Sequence, residues 1–125
     1  MPRVSICVDV PDLKAATTFY CQALGCSLDK EQASHNTLLV GDTKLHLLLK
    51  EGGTEATATA SCTRTYERHW TPVHLDFAVD DVDAAVAEVT RLGGTVEGLQ
   101  RGDWGAAAFC ADPFGNGFCL LAIRA

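Results

Sequence analysis

Several residues with reactive side chains sit in segments where apolar and polar residues alternate. Alternation marks a strand that buries one face, because successive side chains point to opposite sides. His74 and Asp76 share one side of the run Val73-His-Leu-Asp-Phe-Ala-Val79, opposite Val73, Leu75, Phe77 and Val79. An imidazole and a carboxylate on one face can serve as a base and the acid that orients it, or as two satisfied polar groups. His46 shares a side with Leu48 and Lys50, opposite Leu45, Leu47 and Leu49. Cys119 shares a side with Leu121 and Ile123, opposite Phe118, Leu120 and Ala122. Ser5, Cys7 and Asp9 lie opposite Val4, Ile6, Val8 and Val10. The apolar sides are expected under helices, and the mixed sides are expected to face a cavity. His35 and His69 read as solvated residues of a turn and a linker.

The elements that position these residues follow from an internal repeat. Val4-Ser-Ile-Cys-Val-Asp-Val-Pro-Asp12-Leu13 aligns without a gap to Val73-His-Leu-Asp-Phe-Ala-Val-Asp-Asp81-Val82. In each copy a strand runs into an Asp that can cap a helix. Apolar residues at helical spacing predict helices over 13–24 and 82–92, with Gly25 and Gly93-Gly94 as stops. Further strands are expected near 27–33, 37–40 and 44–50, and near 95–99, 106–111 and 117–124. Asp112-Pro-Phe-Gly-Asn116 is a strong turn sequence between the last two. The expected fold is α+β: two tandem βαβββ modules forming a curved mixed sheet around a cleft. One domain spans residues 1–125, with module one at about 3–50, a linker at 51–72 and module two at about 73–125. The linker opens on a Gly-rich stretch that reads as flexible and ends Tyr66-Glu-Arg-His-Trp70. That aromatic, basic end either covers a pocket or pins the linker to the sheet. Trp104, in Gly-Asp-Trp-Gly, either walls the cleft or covers a hairpin.

Composition narrows the partners. The chain has 125 residues, 47% of them hydrophobic, with net charge −6 and a pI near 5.0. An acidic balance disfavours nucleic acid and anionic membrane surfaces, so neither is an expected partner. No apolar run reaches the roughly 20 residues of a membrane span, and the start lacks the apolar core of a signal peptide. A cytoplasmic protein is the expectation. The six cysteines lack C-x-x-C spacing and are expected to be reduced, most of them as small buried hydrophobes. No phosphate-binding G-x-G-x-x-G or G-x-S-x-G nucleophile motif occurs.

The duplication, Val10-Pro-Asp-Leu13, Phe19-Tyr20, Leu24-Gly25 and Asp112-Pro-Phe-Gly-Asn116 together resemble the glyoxalase/bleomycin-resistance/dioxygenase superfamily, also called vicinal oxygen chelate proteins. The ending Gly117-Phe-Cys119 resembles its glyoxalase-like branch. The resemblance covers nearly the whole chain apart from the linker. It implies two modules whose curved sheets enclose a cleft, and a homodimer, in some relatives with modules exchanged between chains. It also implies either a divalent metal or a bound organic molecule. Metal ligands in such relatives come from the first and fourth strands of each module, which here are Ser5, His46, His74 and Cys119. The usual carboxylates are missing from this set, and Ser5 is a poor ligand. The expectation is therefore a cleft without metal or other cofactor that binds a small organic ligand. Its lining would be Ser5, Cys7, His46, Leu48, Trp70, His74, Asp76, Trp104, Phe109, Cys119 and Leu121, with Phe19 and Tyr20 nearby. The alternative is Zn²⁺ or another divalent ion on His46, His74 and Cys119, which suit Zn²⁺ with one position open. That protein would be a lyase, isomerase or dioxygenase-like enzyme, with His46 and His74 as the catalytic candidates.

Overall fold

The computed structural model describes residues 1–59 and 61–124; Ala60, in the linker, and Ala125, at the end of module two, lie outside it. Module one comprises β1 (Ile6–Val10), α1 (Leu13–Leu24), β2 (Ser27–Glu31), β3 (His35–Val40) and β4 (Thr43–Leu49). Module two comprises β5 (Leu75–Ala78), α2 (Val82–Arg91), β6 (Thr95–Gly102), β7 (Gly105–Ala111) and β8 (Gly117–Ile123). The strand orders are β1-β4-β3-β2 and β5-β8-β7-β6. In each sheet the first strand runs parallel to the last, and the other pairs are antiparallel. The two βαβββ modules are thus present, as two hydrogen-bonded sheets rather than one. Asp12 and Asp81 cap equivalent helices, accepting from Ala15 N at 3.0 Å and Ala84 N at 3.1 Å. Gly25 ends α1 in the left-handed region, at φ 71°, where a side chain would be strained. No described helix is long and apolar enough to cross a membrane.

The apolar strand faces pack beneath the helices as their alternation predicts. Val10, Leu38, Leu45 and Leu47 are buried with Ala16, Phe19 and Tyr20 of α1. Phe77, Ala108, Cys110, Phe118 and Leu120 are buried with Val82 and Val89 of α2. Each large side chain so buried stabilises the fold by roughly 1.5–3 kcal/mol. Phe19 meets Phe118 edge-on at 6.1 Å, so the two modules share one core.

Several expectations need correction. β1 begins at Ile6 and β5 at Leu75, where their parallel partners Leu45 and Phe118 lie. Val4 and Val73 fall outside the paired strands, 82% and 78% exposed, rather than under a helix. β2 stops at Glu31 and β3 starts at His35, so His35 is a strand residue. α2 ends at Arg91, and β6 continues to Gly102. Leu49, at the end of β4, is exposed instead of packed. The start of the linker is folded back on itself. Gly53 N donates to Arg64 O at 2.8 Å and Arg64 N to Thr54 O at 2.7 Å. The Arg64 guanidinium donates to Asp9 Oδ2 at 2.8 Å and to the carbonyls of Glu55 and Ala56. The Tyr66 hydroxyl donates to Lys50 O at 2.7 Å. All six cysteines are free; Cys26, Cys110 and Cys119 are buried, while Cys7 and Cys62 are exposed.

Candidate functional site

The sheet faces turned away from the helices carry the reactive groups in two equivalent cross-strand rows. In module one the row is Cys7, His46 and Thr37, aligned across β1, β4 and β3. In module two it is Asp76, Cys119 and Phe109, aligned across β5, β8 and β7. His46 Nδ1 and Thr37 Oγ1 are hydrogen-bonded at 2.9 Å, and the His46 ring lies edge-on to His35 at 6.3 Å. In module two, His74 Nδ1 lies 3.2 Å from Asp76 Oδ1, the contact that shared parity allows. Among the described residues, His74, Asp76 and Cys119 form a group whose donor atoms all lie within 4.8 Å of one another. Burial, reinforced by the Asp76 carboxylate, pushes the Cys119 thiol up. Without a nearby cation it is therefore held as a neutral thiol at neutral pH.

The end of the linker lies against this face as a strap. Arg68 grips Glu97 in a fork, Nε to Oε2 at 2.7 Å and Nη2 to Oε1 at 2.9 Å. The hydrogen bonds from Arg68 lower the Glu97 pKa, and those to Glu97 raise that of Arg68. The strap is seated on the β7–β8 turn, and two glycines make room for it. A Cβ at Gly115 would lie 2.7 Å from Tyr66 O, and one at Gly117 would lie 2.8 Å from Arg68 Nη2. A cavity of about 320 Å³ opens between Arg68, Trp70, His74, Glu97, Phe109 and Cys119. A second, of about 340 Å³, separates β1 from β5 and is lined by Cys7, Asp9, His69, Thr71 and His74. His74 borders both.

The structure thus brings Trp70, His74, Phe109 and Cys119 together, with Asp76 beside them, and sets Cys7 at the adjoining cavity. Within one chain, His46 and Leu48 belong to the other sheet, and His46 stands outside the group made by His74, Asp76 and Cys119. Ser5 is exposed just ahead of β1. Trp104 sits in the β6–β7 turn with its indole over Gly102, covering that hairpin. Leu121 is half-buried between Ala78 and Ala107. Arg68 and Glu97 were not foreseen. The aromatic, basic run 66–70 was the available signal for Arg68. Glu97 sits at a β-bulge between Val96 and Gly98, which breaks the parity that would otherwise assign its face.

Residues 5–121 match the family model for the glyoxalase-like domain. No curated protein matches the chain. Among solved structures, it is similar to a fosfomycin resistance protein, FosX, from Listeria monocytogenes, solved with Mn(II) and sulfate. The identity is 16%, covering 98% of this chain and 90% of that one, with a TM-score of 0.74. It is also similar to a glyoxalase/bleomycin resistance protein/dioxygenase family enzyme from Burkholderia phytofirmans. There the identity is 19%, covering 96% of this chain and 97% of that one, with a TM-score of 0.74. A lactoylglutathione lyase from Agrobacterium tumefaciens is 22% identical, covering 98% of this chain and 95% of that one, with a TM-score of 0.66.

The donor chemistry tests which divalent ion such a fold could carry here. An imidazole, a carboxylate and a thiolate fit a borderline-soft ion such as Zn²⁺ and suit Mn²⁺ poorly, since hard ions prefer oxygen. The match over residues 5–121, with the paired modules and their shared core, identifies this chain as a member of the glyoxalase-like domain family.

Proposed function

We propose that this protein binds a small organic molecule on the open face of its second sheet, beneath the strap. The carrying observation is that Trp70, 79% exposed, and Phe109, 40% exposed, both line a cavity that also presents Arg68, His74 and Cys119. Aromatic walls with a few placed polar groups are the usual makeup of a ligand site. The corresponding face of module one carries Cys7, exposed, and His46 and Leu48, half-buried, with Ser5 exposed just ahead of it. The proposed assembly is a homodimer in which this face of one chain lies over the second sheet of the other, with modules exchanged. Six free cysteines accord with a reducing, cytoplasmic setting.

A second reading is enzymatic and is favoured by the 3.2 Å contact between His74 and Asp76. Asp76 would orient His74 as a base, and a divalent ion would polarise neighbouring substrate oxygens, as a lyase or isomerase requires.

Fluorescence of the wild type and Trp70→Phe, titrated with a panel of small aromatic acids and amines, tests the binding reading. Saturable quenching that disappears in Trp70→Phe supports it, because Trp104 covers a separate hairpin. Quenching that survives the substitution unchanged, or no quenching across the panel, counts against it. Light scattering at micromolar concentration tests the assembly, and a monomer mass refutes it.

A further inference from the structure

We infer that the molecule bound on the second sheet is an organic cation, an ammonium ion on an aromatic or apolar body, held by the exposed rings of Trp70 and Phe109 and by the carboxylate of Asp76. This rests on the reading of that face as a ligand site, and it names the class of ligand.

The charges around the cavity favour a cation. Arg68 is the permanent cation in its wall, and all three guanidinium nitrogens already donate. Nε and Nη2 donate to Glu97 at 2.7 and 2.9 Å, and Nη1 donates to the His69 carbonyl. Arg68 and Glu97 therefore cancel, and an anionic ligand would have to displace a formed fork. Asp76 is left over. Its Oδ1 lies 3.2 Å from His74 Nδ1, and among the described residues no Lys or Arg pairs with it. Its side chain is 49% exposed. Its donor atom lies within 4.8 Å of those of His74 and Cys119, which both line the cavity.

The aromatic walls point the same way. A ring face carries partial negative charge, so Trp and Phe attract a cation and offer nothing to a carboxylate. Trp70 and Phe109 both line this cavity with exposed rings. The chain's net charge of −6 adds a long-range field of the same sign. In the proposed homodimer the row Cys7, His46 and Thr37 would be laid over this sheet. That row carries no fixed charge and brings no competing cation.

Isothermal titration of the full chain compares three probes that share a phenyl ring and a two-carbon spacer: 2-phenylethylammonium, 3-phenylpropanamide and 3-phenylpropanoate. It is run at pH 8, where a histidine is ordinarily uncharged. The ammonium ion should bind about tenfold tighter than the amide, and the carboxylate more weakly than the amide. Asp76→Asn, nearly isosteric, should weaken the ammonium ion about two- to fivefold and leave the amide unchanged. Trp70→Leu, which keeps an apolar side chain, should remove a similar share of the preference. Asp83→Asn changes the net charge equally, but Asp83 stands on α2, behind the sheet, so all three affinities should hold. A loss in Asp83→Asn equal to that in Asp76→Asn would assign the preference to the general field and overturn the site. Full ammonium preference in Trp70→Leu overturns it as well. Binding led by the carboxylate or the amide, which a divalent ion on Asp76 would also produce, overturns the inference and leaves the binding reading standing. No saturable heat from any of the three takes down both.

Discussion

Tyr20 and Asp112 stand 92 residues apart in the chain, and the Tyr20 hydroxyl donates to Asp112 Oδ2 at 2.8 Å with both side chains buried. Asp112 also accepts from Phe114 N at 2.8 Å, Asn116 N at 2.9 Å and Asn116 Nδ2 at 2.9 Å. Asn116 Nδ2 in turn donates to Asp9 O at 3.2 Å. The turn before β8 therefore folds around one carboxylate, which ties it to α1 of module one, while the Asn116 amide ties it to β1. Phe-Tyr and Asp-Pro-Phe-Gly-Asn, two separate motifs in the sequence, are the two halves of one inter-module lock.

Breaking the lock from either side should cost unequal amounts. Tyr20→Phe removes one donor and leaves Asp112 three others, so a loss of about 1–2 kcal/mol is expected. Asp112→Ala strands the buried Tyr20 hydroxyl and two backbone N–H groups, so about 3 kcal/mol or more is expected. Urea unfolding of the two variants measures the difference; equal losses would show that the hydroxyl carries the whole effect.

Burial sets an alkaline limit to stability. The Cys26 thiol is pushed up to about 12 and that of Cys110 to about 11, both mainly by burial, from an ordinary value of 9.0. The folded state holds these protons while the unfolded state releases them above pH 9. Stability is thus undiminished below pH 9 and falls as pH rises toward 11–12. Cys26→Ala should flatten that fall between pH 9 and 11, at the cost of a small cavity at neutral pH. A steep alkaline limb in Cys26→Ala, matching that of the wild type, would assign it to other groups, among them Tyr20, whose pKa is raised by burial and then by Asp112.

Most of the fold was legible because strand parity and the repeat are local signals that the core then obeys. Asp12 and Asp81 cap their helices as their spacing predicts, and His74 and Asp76 meet because i and i+2 share a face. The site was less legible. Val4 and Val73 continue the apolar alternation, but strand pairing stops short of them, and pairing is a property of the partner strand. Glu97 escaped parity through a bulge. Arg64 and Arg68 hold the linker to Asp9 and Glu97 across long stretches of chain that carry no periodic signal, so their partners are not legible in the sequence.

Acid should loosen the strap. Hydrogen bonds from Arg68 hold the Glu97 carboxyl below its ordinary 4.5. That contribution to stability is present above pH 4.5 and is lost as pH falls through the lowered folded value. Both side chains are partly exposed, so about 0.2–1 kcal/mol is expected. Glu97→Gln should remove this part of the acid dependence while leaving the fold intact. Proteolysis within residues 64–71 at pH 7 should be faster in Glu97→Gln than in the wild type, and equal rates would mean that the fork does not hold the strap.

The seat of the strap supplies a stricter test, because a backbone atom cannot step aside as a side chain can. At Gly117 an added methyl meets the guanidinium of Arg68, which is flexible and can move at the cost of its fork with Glu97. At Gly115 it meets the Tyr66 carbonyl at 2.7 Å, and the residue also holds φ 93°, which an L side chain rarely adopts. Gly115→Ala should therefore destabilise the protein by about 1–3 kcal/mol through strain and the displaced strap. Gly117→Ala should cost less, with its effect concentrated in ligand binding beside Trp70. Thermal melts and Trp70 quenching measured side by side separate the two. If Gly117→Ala leaves quenching untouched, Arg68 has no part in the cavity that the strap encloses.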